Sequence, residues 1–127
     1  MKKVILLLII ASILVLFACK EKTVRYTDSG ETVTIMVGQV LKIELPGDAT
    51  SGSDWRKMTY NDIVLQKKKK GNYMLSDNPS SPGVYYFRFT AIIPGTSHIL
   101  MEYGNKYDDD KKATKTFELD VIVIPKQ

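Results

Sequence analysis

The sequence predicts an all-β protein, an immunoglobulin-like antiparallel β-sandwich of about seven to eight strands. Three observations carry that expectation. Apolar residues recur at every second position, as in Tyr85, Phe87, Phe89 and Ala91, which is the period of a half-buried strand. Gly, Pro, Asn and Asp punctuate the chain between such segments, at the spacing of short strands joined by turns. Beyond residue 18, no window of adequate length has a helical period.

The chain opens with a segment outside that sandwich. Lys2 and Lys3 precede an apolar run from Val4 to Leu16, a charged region followed by a hydrophobic one of secretory-signal length, too short to span a membrane comfortably. Leu16-Phe17-Ala18-Cys19 resembles the bacterial lipobox, in which the cysteine is acylated and becomes the new N-terminus. Cys19 is the only cysteine, so no internal disulfide can form and lipid attachment accounts for the thiol. Residues 1–18 are expected to be a lipoprotein signal peptide, residues 19–30 the lipidated Cys19 and a tether, and residues 31–127 the folded domain. An ordinary signal followed by a spare thiol is the plain alternative. Lipidation would place the protein at the cell envelope with a membrane as one partner, on the outer membrane in a Gram-negative cell because Lys20 and not aspartate follows Cys19.

Removing 18 of 127 residues leaves 109, one domain by length, and takes Lys2 and Lys3 away, so 18 basic residues become 16 against 14 acidic ones. A balance near neutrality provides no footprint for nucleic acid. Lys67 to Lys70 stands beside Gly71-Asn72 and reads as a solvated hairpin end, or as a patch attracted to a membrane surface or an acidic partner.

Strand candidates follow in order. Glu31–Val37 alternates through Val33 and Ile35, and Gly38-Gln39 forms a tight turn into Val40–Leu45, where Leu41, Ile43 and Leu45 share a face. Pro46 ends that strand and opens the loop P-G-D-A-T-S-G-S-D-W. Gly47 and Gly52 admit special backbone conformations, Asp48, Thr50 and Ser51 bond back to nearby amides, and Trp55 pins the far end to the core. The loop reads as a displayed binding element or as an ordinary connection. Ile63–Lys68 and Tyr73–Leu75 are weaker strands, followed by Val84–Ile93, His98–Tyr103 and Thr116–Ile124, the last with Phe117, Leu119, Val121 and Val123 inward. Asp77 to Gly83 and Gly104 to Lys112 are the other long loops, and a sandwich can gather three such loops at one end.

Catalytic chemistry is absent from this pattern. His98 is the single histidine and lies within a strand, no G-x-S-x-G elbow is present, and no nucleophile, acid and base converge. Asp108-Asp109-Asp110 lacks the spacing of a calcium loop and reads as a solvated hairpin tip. We expect no enzyme, no metal and no cofactor.

The whole mature chain resembles the chagasin family of papain-like cysteine peptidase inhibitors. That family's first loop, Asn-Pro-Thr-Thr-Gly-Tyr-x-Trp, falls on Asp48-Ala49-Thr50-Ser51-Gly52-Ser53-Asp54-Trp55, with Ser51, Gly52 and Trp55 kept closely or conservatively. Its second loop, Gly-x-Gly-Gly, falls on Ser80-Ser81-Pro82-Gly83, where only Gly83 survives. Its third loop, Arg-Pro-Trp, falls on Asn105-Lys106-Tyr107, where an aromatic remains but the cation and the proline do not. The resemblance implies reversible blockade of a papain-like cysteine peptidase by three loops, with Thr50-Ser51-Gly52 crossing over the catalytic cysteine and Tyr107 resting on the cleft wall. The peptidase-facing residues it implies are Asp48, Ala49, Thr50, Ser51, Gly52 and Trp55, then Ser81, Pro82 and Gly83, then Asn105, Lys106 and Tyr107. The alternative function is a non-inhibitory envelope lipoprotein that uses the same sandwich for adhesion or assembly.

Overall fold

A computed structural model describes residues 21–48, 50–68, 72–74 and 83–127. The expectations on the signal peptide, Cys19, Ala49, Ser81 and Pro82 lie outside these residues. Among the described residues the strands are β1 (Lys22–Arg25), β2 (Thr32–Met36), β3 (Val40–Gly47), β4 (Ser53–Thr59), β5 (Leu65–Lys67), β6 (Asn72–Met74), β7 (Gly83–Ala91), β8 (Gly95–Asn105) and β9 (Lys115–Ile124). One sheet has the order β1-β3-β7-β5 with β6 also on β7, and the other has the order β2-β9-β8-β4. Leu41, Ile43, Leu45, Phe87 and Phe89 from the first sheet meet Ile35, Ile99, Met101, Phe117, Leu119 and Val121 from the second in one buried core. Each such side chain contributes roughly 1.5–3 kcal/mol on burial, so the alternation seen in the sequence is what joins the sheets.

The sandwich is as expected, but several pairings differ. β1 lies parallel to β3 and β2 parallel to β9, so the fold is not wholly antiparallel. The turn at Gly38-Gln39 does not close a hairpin: β2 and β3 belong to different sheets, and Gly38 takes the left-handed φ of +89° that this sharp crossing requires. β5 and β6 both pair with β7, at Ala91 to Phe89 and at Tyr86 to Val84 respectively. They are successive pieces of one edge strand and not the arms of a hairpin. Pro46 does not end β3 either, since it pairs with Val84 and Gly47 with Gly83. β1 accompanies β3 only as far as Glu44, so at Pro46 the strand has a free edge on which no amide donor is needed.

Two strands escaped the sequence pattern. Lys22–Arg25 falls in the segment expected to be a tether, yet it forms β1 through a single buried residue, Val24, so the folded part begins before residue 31. In β4, Trp55 pairs with Tyr103 and Lys57 with Glu102, which leaves Arg56 as an extra, bulged residue. The bulge moves the inward positions from Lys57 and Thr59 to Met58 and Tyr60, and alternation is lost at that point.

On the outer face of the second sheet, His98 Nδ1 lies 2.7 Å from Asp120 Oδ1, opposite it in the β8–β9 ladder. The hydrogen bond to Asp120 raises the His98 pKa, with some opposition from desolvation and help from the charges of Asp120 and Glu118. A raised folded-state pKa means that the pair stabilises the protein fully below the ordinary imidazole range, and that this contribution disappears as pH rises through the folded value. In an NMR titration of this single histidine, Asp120→Asn is expected to lower the midpoint; an unchanged midpoint would show that the pair does not hold in solution.

Candidate functional site

The β3–β4 connection is a self-bonded turn. Asp48 Oδ1 accepts from the Thr50 amide at 2.9 Å and from its hydroxyl at 2.6 Å, while the Asp48 carbonyl accepts from the Ser51 hydroxyl at 2.8 Å. The Thr50 side chain and amide hold the Asp48 carboxyl below its ordinary pKa, so the turn keeps its brace as an ionised group. Gly52 closes the turn at φ +80°, a left-handed conformation that other residues adopt only at a cost. Asp48, Thr50 and Ser51 are exposed although every one of them is held.

The stems of this turn rest on an aromatic layer. Trp55 is 7% exposed; its Nε1 donates to the Pro46 carbonyl at 3.1 Å, and its ring lies 5.2 Å from Tyr103 and 6.3 Å from Tyr26. The Tyr103 hydroxyl in turn accepts from the Asp48 amide at 3.0 Å. One indole and one phenol thus fasten both ends of the turn to the core.

The β8–β9 connection stands against the same turn. Ser53 pairs with Asn105, the Lys106 amide donates to the Gly52 carbonyl at 3.0 Å, and Asn105 Oδ1 accepts from the Tyr107 amide at 2.8 Å. Tyr107 is 81% exposed, and a Cβ on Gly52 would lie 4.0 Å from its ring. The first and third loops therefore form one continuous ridge with an aromatic ring standing at its edge.

Arg56 braces the third loop, and sequence reasoning missed it. Its guanidinium donates to the carbonyls of Asn105 at 3.0 Å and Asp108 at 2.9 Å, and also to that of Lys111. A Cβ on Gly104 would come within 2.9 Å of the guanidinium carbon, so Gly104 leaves the room this clamp needs. The only signal in the sequence is an arginine just after the anchoring tryptophan. Arg56→Ala is expected to lose about 2 kcal/mol, because charged donors leave three carbonyls, and to speed amide exchange in the third loop while β8 and β9 stay protected. Arg56→Lys is expected to rescue little, since an ammonium cannot span the fork. Unchanged exchange in both variants would mean that the loop holds itself.

The start of β7 stands beside the end of β3. Gly83, where β7 begins, pairs with Gly47, where β3 ends. Both are packed under tyrosines: a Cβ on Gly83 would collide with the Tyr73 ring, and one on Gly47 would lie 2.6 Å from Tyr85 Cε2. Tyr73 and Tyr85 are 4.7 Å apart, and desolvation, with nearby Asp54 adding to it, pushes the Tyr85 phenol up to about 12. The structure thus gathers Asp48, Thr50, Ser51, Gly52, Trp55, Gly83, Asn105, Lys106 and Tyr107 at one end of the sandwich. Asp108, Asp109 and Asp110 lie in the same β8–β9 connection as Tyr107.

Residues 34–121 match the chagasin family peptidase inhibitor I42 model. The cysteine protease inhibitor EhICP2 from Entamoeba histolytica is similar over 81% of this chain and 95% of its own, with 15% identity and a TM-score of 0.73. The solution structure of Amebosin is similar over 83% of this chain and 99% of its own, with 22% identity and a TM-score of 0.62. No curated protein matches the chain in sequence. The two solved structures share the sandwich, and the family match spans both sheets and the first and third loops. The chain belongs to the chagasin family of peptidase inhibitors and is not an enzyme.

Proposed function

We propose that this chain reversibly inhibits papain-like cysteine peptidases by inserting its loop end into the active-site cleft, and that a lipid on Cys19 holds it at the cell envelope. The observation that carries the inhibitory reading is the bond from the Lys106 amide to the Gly52 carbonyl at 3.0 Å. It fuses the turn at Asp48–Gly52 with the loop bearing Tyr107, so two of the three loops are held in place before any partner arrives. Little ordering entropy is then lost on docking. Small residues at Thr50, Ser51 and Gly52 let backbone approach a narrow groove.

The lipid reading is supported by Leu16-Phe17-Ala18-Cys19 after an apolar run and by Cys19 being the only cysteine. Lys20 in the next position favours the outer membrane in a Gram-negative cell.

The test is a titration of residues 21–127 against papain and a cathepsin L-type enzyme, following hydrolysis of a fluorogenic peptide. Inhibition that is tight and is reversed on dilution is the expected result. No inhibition at micromolar concentrations of the folded domain would refute the proposal.

A further inference from the structure

We propose that the end of the sandwich opposite the loops is a bilayer-facing base, pressed against phospholipid by the short link to Cys19, so that the loops point away from the membrane. This rests on the lipidation reading given above. The chain enters the fold at Lys22, which pairs with Leu41 near the start of β3, and the first loop begins at the other end of the same strand, after Gly47. From Leu41 to Gly47 the strand rises by about 20 Å.

The link has little slack. Cys19 is three residues before Lys22, a reach of about 10 Å when fully extended, and Glu21 is tied to Arg88 of β7 by an ion pair at 3.3 Å. An acylated Cys19 therefore cannot let the domain stand far from the headgroups or turn over.

The surface that this link brings to the bilayer displays aliphatic side chains beside polar ones such as Asp62. Four segments are stitched together at that end: the Gly38 amide donates to the Ala91 carbonyl, the Val37 amide to that of Ile124, and the Ile92 amide to that of Val64. On the two adjacent turns Ile63 is 67% exposed, Ile92 40% and Ile93 42%. Three large aliphatic side chains displayed on turns serve neither the core nor the inhibitory ridge, and exposed groups of this kind mark an interaction surface. At the depth of the headgroup boundary they would be taken out of water, as the apolar faces of interfacial proteins are.

The test uses the full acylated chain in vesicles of phosphatidylethanolamine and phosphatidylglycerol. With the Cys19 sulfur occupied by lipid, a cysteine introduced by Ile93→Cys or by Asp109→Cys is the single free thiol and takes an environment-sensitive dye. The dye at 93 is expected to emit at shorter wavelength and to be quenched several-fold by nitroxide lipids, whereas the dye at 109, on the loop side, responds only to aqueous iodide. Flotation and mass spectrometry of the N-terminus are read in parallel. Vesicle-bound, acylated protein whose two dyes are equally open to iodide would overturn the oriented base and leave lipidation standing. A chain that carries no lipid and does not float would overturn both.

Discussion

Trp55→Ala is expected to destabilise the domain by about 4 kcal/mol, within the range of large-to-small changes at buried aromatics, and to lower the melting temperature by roughly 15–30 °C. The indole is 7% exposed and fills the space between Tyr26 and Tyr103. Its removal leaves a cavity, and it also takes the donor from the Pro46 carbonyl. Because Tyr103 holds the Asp48 amide, loosening the Trp55–Tyr103 contact frees the first loop as well, so inhibition is expected to weaken even at temperatures where the variant is folded. Trp55→Phe keeps a ring but no donor, and is expected to lose about 1 kcal/mol for the missing hydrogen bond together with a smaller packing loss. Thermal melts followed by circular dichroism decide the matter: a Trp55→Ala domain within about 1 kcal/mol of wild type would show that Trp55 anchors neither core nor loop.

Gly52→Arg is expected to have the opposite profile, with the fold retained and inhibition weakened at least about 100-fold, or about 3 kcal/mol, as for a residue at the centre of an interface. Gly52 has φ +80°, and any other residue there is strained by roughly 1 kcal/mol or more. The arginine also adds bulk to the ridge beside Tyr107, whose ring would lie 4.0 Å from the new Cβ. Gly52→Ala separates the two effects: it carries the backbone strain with almost no bulk, and is expected to lose about tenfold through the strain alone. Inhibition constants for both, against the same peptidase, provide the measurement. If Gly52→Arg inhibits as well as wild type, this turn does not enter the cleft.

Strands buried on one face were legible in the sequence because alternation reports burial directly. In β7, β8 and β9 every second residue reaches the core, so their period survives without knowledge of any partner. β1 and β4 were not legible. β1 has one buried residue, too few to define a period, and the bulge at Arg56 reverses the inward parity of β4 halfway along. The turn at Gly38-Gln39 was legible as a turn, but not as a crossing from one sheet to the other. A tight turn specifies a change of direction and says nothing of the sheet to which the next strand belongs.

The same distinction separates what was known of the site. The chemistry of the first loop, with Asp48, Thr50 and Ser51 bonding back and Gly52 supplying a left-handed residue, is local, and short polar residues beside glycine encode it within a few positions. The clamp by Arg56 on the carbonyls of Asn105, Asp108 and Lys111 is not local: about fifty positions separate donor from acceptors, and nothing in the composition of either segment marks the partnership.

By itself the sequence determined the sandwich, the inward-facing residues of its regularly alternating strands and the self-bonded turn at its tip, all of which follow from periodicity and from contacts between near neighbours. Only the tertiary structure decided which strands lie side by side, that Gly52 and Lys106 join two loops into one ridge, and that β1 starts at the end opposite that ridge. Those outcomes rest on hydrogen bonds between segments distant in the chain. Backbone donors and acceptors are the same at every residue, so their choice of partner is settled only when the two sheets close on a common core.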